Sequence, residues 1–394
     1  MPNDSSRFCL RGARLVLSDR VTDSASLIIS DGHIDSISEG LASPAVEKEQ
    51  LDLTGLTLFP GFIDVHIHGA VGVDTMEADA EGLHSVARFL AQHGVTGWLP
   101  TLVPAPVADY ANSVSAISKL MAEQDQRPPA AQAFGVHYEG PFINSAQCGA
   151  LRSQYFRTFT GNELDDLPVG NLPNLVRMTT VAPEIDGGID LIKELTRRGW
   201  IVSLGHTRAD VDVLERALQA GARHMTHFMN AMLPLHHRAP GPIGWGLFHD
   251  EVTCDLIADG VHVHPLMLQV IVRCKSPTRI SLISDSISPT GIGDGAYQVW
   301  GETIKVVEGR TSNERGSIAG SVITMLDAVR MMLSLGVPAP EVARMAAFNP
   351  AQLIGKEQEC GSITVGKRAD LVALDDKGNV CLTLVGGRVA FAAL

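Results

Sequence analysis

The chain has no apolar run approaching the length of a membrane span, and its first residues are polar with no apolar signal region. Its six cysteines (Cys9, Cys148, Cys254, Cys274, Cys360, Cys381) show no paired short spacing. A reduced, cytoplasmic protein is therefore expected. Positive charge is in deficit: 31 Lys+Arg against 44 Asp+Glu leave a formal charge of -13. That balance excludes an overall electrostatic attraction to nucleic acid or an anionic membrane, while permitting a local cationic pocket. The glycine signatures of phosphate loops and dinucleotide-binding turns are also missing after the early strands. What is present is 45% hydrophobic residues and 38 glycines in 394 residues, suited to one large α/β body with tight turns and a smaller appendage.

The appendage is read from both ends of the chain. Short strands are predicted at 13–17, 26–30, 34–37, 51–53 and 56–59, and again at 370–374, 380–385 and 388–391. Neither set buries a convincing core alone, so the two are expected to meet in one small β-sandwich domain, residues 1–60 with 358–394. Between them the pattern changes to strand–helix alternation. Strands are predicted at 62–68, 95–101, 133–139, 175–181, 200–206, 224–227, 253–257 and 279–285, and helices at 80–92, 107–123, 189–198, 211–220, 265–274, 325–335 and 340–348. Eight strands so separated predict a (β/α)8 barrel over residues 61–357, with a doubly wound open sheet as the structural rival.

His66 and His68 stand two apart on the first of these strands, in Phe59-Pro60-Gly61-Phe62-Ile63-Asp64-Val65-His66-Ile67-His68-Gly69, and so share one face. Two imidazoles there are either surface residues of an edge strand or metal ligands. Glu139, His206, His227 and Asp285 also fall at or near C-terminal strand ends, the face where barrel enzymes gather their chemistry. Each has a local alternative. Glu139 precedes Gly-Pro and suits a turn, His206 suits the cap of the next helix, His227 could stack on Phe228, and Asp285 could bond a turn N–H. Their recurrence at one end favours convergence on a divalent metal, for which imidazole and carboxylate suit zinc or iron. In such a metal hydrolase Asp285 would accept a proton from water and deliver it to a leaving amine. His262 could donate to the substrate carbonyl, although spacing alone does not choose it over His264.

With these residues placed, the chain resembles the N-acetylglucosamine-6-phosphate deacetylases of the amidohydrolase superfamily. The resemblance runs through 60–69, His137-Tyr138-Glu139-Gly140-Pro141-Phe142, Leu204-Gly205-His206-Thr207, Thr226-His227-Phe228-Met229-Asn230-Ala231-Met232, His237-Arg238-Ala239-Pro240-Gly241, Asp259-Gly260-Val261-His262-Val263, Ser284-Asp285 and Ile318-Ala319-Gly320-Ser321. The histidine pair marks only the superfamily, whereas Glu-Gly-Pro together with Asn-Ala-Met is more specific. The resemblance implies Glu139, His206 and His227 as principal metal ligands, with His66 and His68 able to hold a second ion, and Asp285 as both acid/base and ligand. It implies substrate contacts at Ala150, Asn230, Ala231, His262, Ala319 and Gly320, and an Arg238 grip on a sugar phosphate. Zinc is the leading metal, iron the alternative. Hydrolysis of N-acetyl-D-glucosamine 6-phosphate, and a homodimer whose neighbouring subunit completes the phosphate end, complete the expectation.

One departure stands out. Where the family often has Lys-Gly-Ala-His, this chain has Cys148-Gly149-Ala150-Leu151, and Leu151 offers no hydrogen bond. The substitution bears on which sugar is used more than on amide hydrolysis. N-acetylgalactosamine 6-phosphate or another N-acyl amino-sugar phosphate stays open, as does a hydrolase of cyclic amides or aminated bases. A metal-binding sugar-phosphate sensor without turnover is the non-enzymatic alternative.

Overall fold

The computed structural model describes residues 7–40, 49–170 and 174–394. The polar start read above, residues 1–6, lies outside the described residues, as do 41–48 and 171–173. Eight strands form the barrel, with the two-residue strand Gln132–Ala133 also paired to the second of them: β1 (Phe62–Ile67), β2 (Val95–Leu102), β3 (Gly135–Glu139), β4 (Val176–Val181), β5 (Ile201–Leu204), β6 (His224–Met225), β7 (Thr253–Ile257) and β8 (Ile280–Ile283). Each pairs in parallel with the next. The sheet closes where the Asp285 N–H donates to His66 O (3.0 Å) and the His68 N–H donates to Ser286 O (2.8 Å). The result is a (β/α)8 barrel whose strands, wrapped on the outside by helices, are almost wholly buried.

The helices α1 (Ala80–Gln92), α2 (Val107–Glu123), α3 (Gly188–Arg197), α4 (Val211–Ala220), α5 (Gly241–Phe248), α6 (Pro265–Lys275) and α7 (Met325–Ser334) follow the strands. Local chemistry sets their ends. Asp79 and Asp210 accept from backbone N–H groups at the starts of α1 and α4, and Gly221, at φ 116°, ends α4 in a left-handed turn. A helix and an inserted sheet are the main elements absent from the sequence reading. The segment of α5, Gly-Pro-Ile-Gly-Trp-Gly-Leu-Phe, is too rich in glycine to announce a helix, and burial of Pro242, Ile243 and Trp245 overrides that propensity. A three-stranded antiparallel sheet, Gly295–Val299, Glu302–Val307 and Arg310–Ser312, is inserted after β8. The single helix predicted at 340–348 is instead Ala339–Ala343 followed by a π turn, Arg344–Phe348. Pro350 has no N–H for the carbonyl four residues earlier, which disturbs the regular ladder there.

Both termini build the second sheet, in the order Arg388–Ala392, Val380–Val385, Leu371–Leu374, Thr57–Pro60, Phe8–Leu15, Ala25–Ser30, His33–Glu39, with Gln50–Asp52 also paired to Phe8–Leu15. Leu27 and Ile34 from one end of that path share a core with Leu382 and Leu384 from the other, so the sheet folds over into a sandwich. Its first strand starts at Phe8, earlier than predicted, because a bulge between Arg11 and Ala13 breaks the alternation. Gly12 sits there at φ 78°, and a Cβ would lie 2.4 Å from Thr54 Oγ1.

Candidate metal centre

The barrel brings the strand-end residues together. His66 lies in β1 with His68 one residue past its end, and Glu139 is the last residue of β3. His206, His227 and Asp285 each stand just past the end of β5, β6 and β8, at φ 47°, 30° and 50°. Left-handed backbone at a non-glycine residue costs of order 1–3 kcal/mol and is held only where surroundings over-determine it. Three such residues on one rim turn their side chains into the same space.

The imidazole Nε2 atoms of His206 and His227 lie 2.9 and 3.0 Å from Glu139 Oε1 and 3.1 Å from each other. On the other side of Glu139, His68 Nε2 is 3.2 Å from Oε2 and His66 Nε2 is 3.6 Å from Oε1, with the two imidazoles 3.1 Å apart. Asp285 Oδ1 is 3.4 Å from His66 Nε2 and 3.3 Å from His68 Nε2. Donor atoms at first-row metal–ligand bonds of about 2.1 Å stand roughly 3–3.5 Å apart around an ion, so the spacing fits. Two ligand groups result, His66–His68–Glu139 and Glu139–His206–His227, and they share Glu139.

Outer contacts fix how the rings point. His206 Nδ1 donates to Gln147 O (2.7 Å), and His68 Nδ1 is 3.3 Å from Thr101 O, leaving each Nε2 turned inward. Burial drives His66 well below the ordinary imidazole value, so the ring is neutral, as a ligand must be. Burial alone would push the Glu139 carboxyl up, but His66, His206, His227 and His68 more than offset it and hold it well below the carboxylate range. His68 is buried too, yet its hydrogen bonds to Asp285 and Glu139 raise it to about 10. The carboxylates thus call for positive charge at this point, which a bound cation supplies in place of the proton. Beneath the site, Asp64 accepts from Ser284 Oγ (2.5 Å), and burial pushes its carboxyl up to about 7.

A cavity of about 470 Å³ opens over the cluster. Asn230, Ala231, Ala150, His262 and Gly320 line it. His262 Nδ1 is 2.7 Å from Asp259 Oδ2, whereas His264 accepts from the Leu266 N–H at the start of α6 (3.2 Å), so of the two only His262 faces the cavity. Ala319 is fully buried and does not line the cavity. Gly320, at φ 57°, is needed for packing: a Cβ would meet Ile287 Cγ2 at 2.6 Å and Asp285 O at 3.0 Å. Arg238 is exposed, with Nη1 2.8 Å from His237 Nε2, and stands outside this chain's cavity. Leu151 is buried with Val103, Ile143 and Ala182, so its missing hydrogen bond leaves no hole. Sequence spacing did not find Trp300 and Arg315, which the inserted sheet and the loop after it bring to the cavity wall.

A hydrolase that works through a divalent metal at the C-terminal mouth of a (β/α)8 barrel is the class that this fold and donor set define. The amidohydrolase family matches residues 57–390. The N-acetylglucosamine-6-phosphate deacetylase of Bacillus subtilis is 34% identical over 384 residues, covering 97% of this chain and 96% of that protein. The N-acetylgalactosamine-6-phosphate deacetylase of Escherichia coli O157:H7 is 36% identical over 383 residues, covering 97% and 98%. A mutant Mycobacterium smegmatis N-acetyl-D-glucosamine-6-phosphate deacetylase, solved in complex with N-acetyl-D-glucosamine-6-phosphate, superposes with TM-score 0.88 at 30% identity over 98% of this chain and all of that one. The chain belongs to the N-acetylglucosamine-6-phosphate deacetylase family of the amidohydrolases.

Proposed function

We propose that this protein hydrolyses N-acetyl-D-glucosamine 6-phosphate to D-glucosamine 6-phosphate and acetate. The observation that carries the reading is the convergence of His66, His68, Glu139, His206, His227 and Asp285 under one cavity. Held by those residues, a divalent metal supplies Lewis-acid polarisation of the amide carbonyl and a water made acidic enough to react near neutral pH. With the metal held there, Asp285 would take a proton from the attacking water and return it to the amine as the C–N bond breaks, so the carboxylate would end as it began. His262, steadied by Asp259, donates from its free ring nitrogen to the carbonyl oxygen as charge develops there. Asn230 and Ala231 orient the sugar.

Zinc is the metal proposed, iron the alternative, since imidazole and carboxylate serve both. The exposure of Arg238 supports a homodimer in which this guanidinium reaches the phosphate in the neighbouring copy's site. All six cysteines are free, which suits the reducing cytoplasm. The 36% identity to an N-acetylgalactosamine-6-phosphate deacetylase keeps the epimeric sugar phosphate as a second substrate. Acetate release by metal-replete protein from the two N-acetylhexosamine 6-phosphates tests the reading; no acetate from either refutes it. Arg238→Ala should raise KM for phosphorylated substrates by about tenfold or more and spare unphosphorylated N-acetylglucosamine.

A further inference from the structure

Trp300 is out of place by ordinary turn chemistry. It forms, with Gly301, the two-residue turn between Gly295–Val299 and Glu302–Val307, and both residues have positive φ, 52° and 79°. Such turns favour Asn-Gly or Asp-Gly, and the other two-residue turn of the same sheet accordingly carries a small strain at an exposed polar residue, Glu308-Gly309. A bulky aromatic at left-handed φ is an outlier that packing must repay. The indole goes into the catalytic cavity, where its ring lies edge-on to His68 with centroids 5.1 Å apart. Its nitrogen is buried near Asp74, so the ring presents carbon to the cavity. The ring packs against the apolar cluster of Val103, Ile143, Leu151 and Ala182, of which Leu151 also lines the cavity.

An N-acetylated sugar phosphate has one alkyl group beside its reacting carbon, the acyl methyl, a single bond of about 1.5 Å away. When the amide carbon is over the metal ligands, that methyl must rest against whatever stands next to them. The strand ends present imidazole and carboxylate, and the side of Asn230 and His262 is polar. Of the apolar groups on the cavity wall, which include Ala150, Leu151 and Ile318, Trp300 is the one whose ring packs against a member of the ligand cluster, His68. We propose that Trp300, packed against the cluster that holds Leu151, is the acyl-side wall of the site and limits the substrate to a short N-acyl chain. This rests on the deacetylase reading above and adds the residue that measures the acyl group.

The test is kcat/KM for the N-acetyl, N-propanoyl and N-butanoyl forms of glucosamine 6-phosphate with the metal-replete full chain. Added methylenes against a closed apolar wall are expected to cost the unaltered protein about tenfold each. Trp300→Ala should raise the butanoyl-to-acetyl ratio by about tenfold or more, and Trp300→Phe by less. Leu151→Ala, which frees the indole to withdraw, should move the ratio the same way, and carries the test if Trp300→Ala does not fold. Variants that lower all three substrates by one common factor, or leave the ratio where it was, overturn the proposal. Failure of the unaltered protein to release acetate from the N-acetyl compound strikes the deacetylase reading itself and is distinguishable from either result.

Discussion

Glu139 is the residue on which both ligand groups depend: its Oε1 faces His206, His227 and His66, and its Oε2 faces His68. A neutral amide of the same shape has no charge and one acceptor oxygen fewer to offer the two groups, and loss of even an outer partner of a metal ligand costs 10–100-fold in metal affinity. Glu139→Gln should therefore weaken binding of every ion by at least about a hundredfold. His66→Asn should release only the ion on its own side. Metal content after gel filtration distinguishes them, and a Glu139→Gln protein with its full complement would show that the carboxylate is not shared. Some of this centre was legible beforehand: a two-residue spacing on a strand puts His66 and His68 on one face whatever the fold. Glu139, His206, His227 and Asp285 were legible only as a set, since each alone suits a turn or a cap. Trp300 was not legible at all, because its place in the cavity comes from a hairpin whose turn residues resemble no common turn.

At the scale of elements, legibility followed the source of the stabilisation. Helices α1, α2 and α4 have apolar periodicity, α1 and α4 also have side-chain caps at their starts, and the predicted bounds of all three coincide with the observed ones. Helix α5 is held by tertiary burial against its own propensity, and no local signal reveals it. Helix α7 offers a clean measure of local encoding. The Asp327 N–H donates to Thr324 Oγ1 (3.4 Å) while Asp327 Oδ2 accepts from the Thr324 N–H (2.8 Å), a capping box immediately after the cavity's Gly320–Ser321 segment. Thr324→Ala should cost about 1 kcal/mol, read as a lower urea midpoint at unchanged slope, and Thr324→Ser should restore most of it. An unshifted Thr324→Ala midpoint would mean that tertiary packing alone sets the start of α7.

The whole molecule is tied together by strands that serve two cores at once. In Thr57–Pro60 and Leu371–Leu374, Leu58, Leu371 and Ala373 face the terminal sandwich, whereas Phe59, Val372 and Leu374 belong to the large core around the barrel. This is the period-two alternation of a strand buried on both faces. The two strands pair with each other, Phe59 with Val372 and Leu58 with Ala373, so the ends of the chain are joined beside the barrel wall. A sandwich so built has no separate core boundary at which to melt alone. Leu384 is fully buried in it, away from the metal ligands, and Leu384→Ala should cost about 2–5 kcal/mol through lost contacts and a residual cavity. Because the shared strands carry that loss into the barrel, unfolding of the variant should remain a single transition, with far-UV circular dichroism and loss of deacetylase activity moving together to a lower urea midpoint. An early spectroscopic transition that leaves activity intact would show that the sandwich opens without the barrel, and that the alternating strands do not couple the two cores.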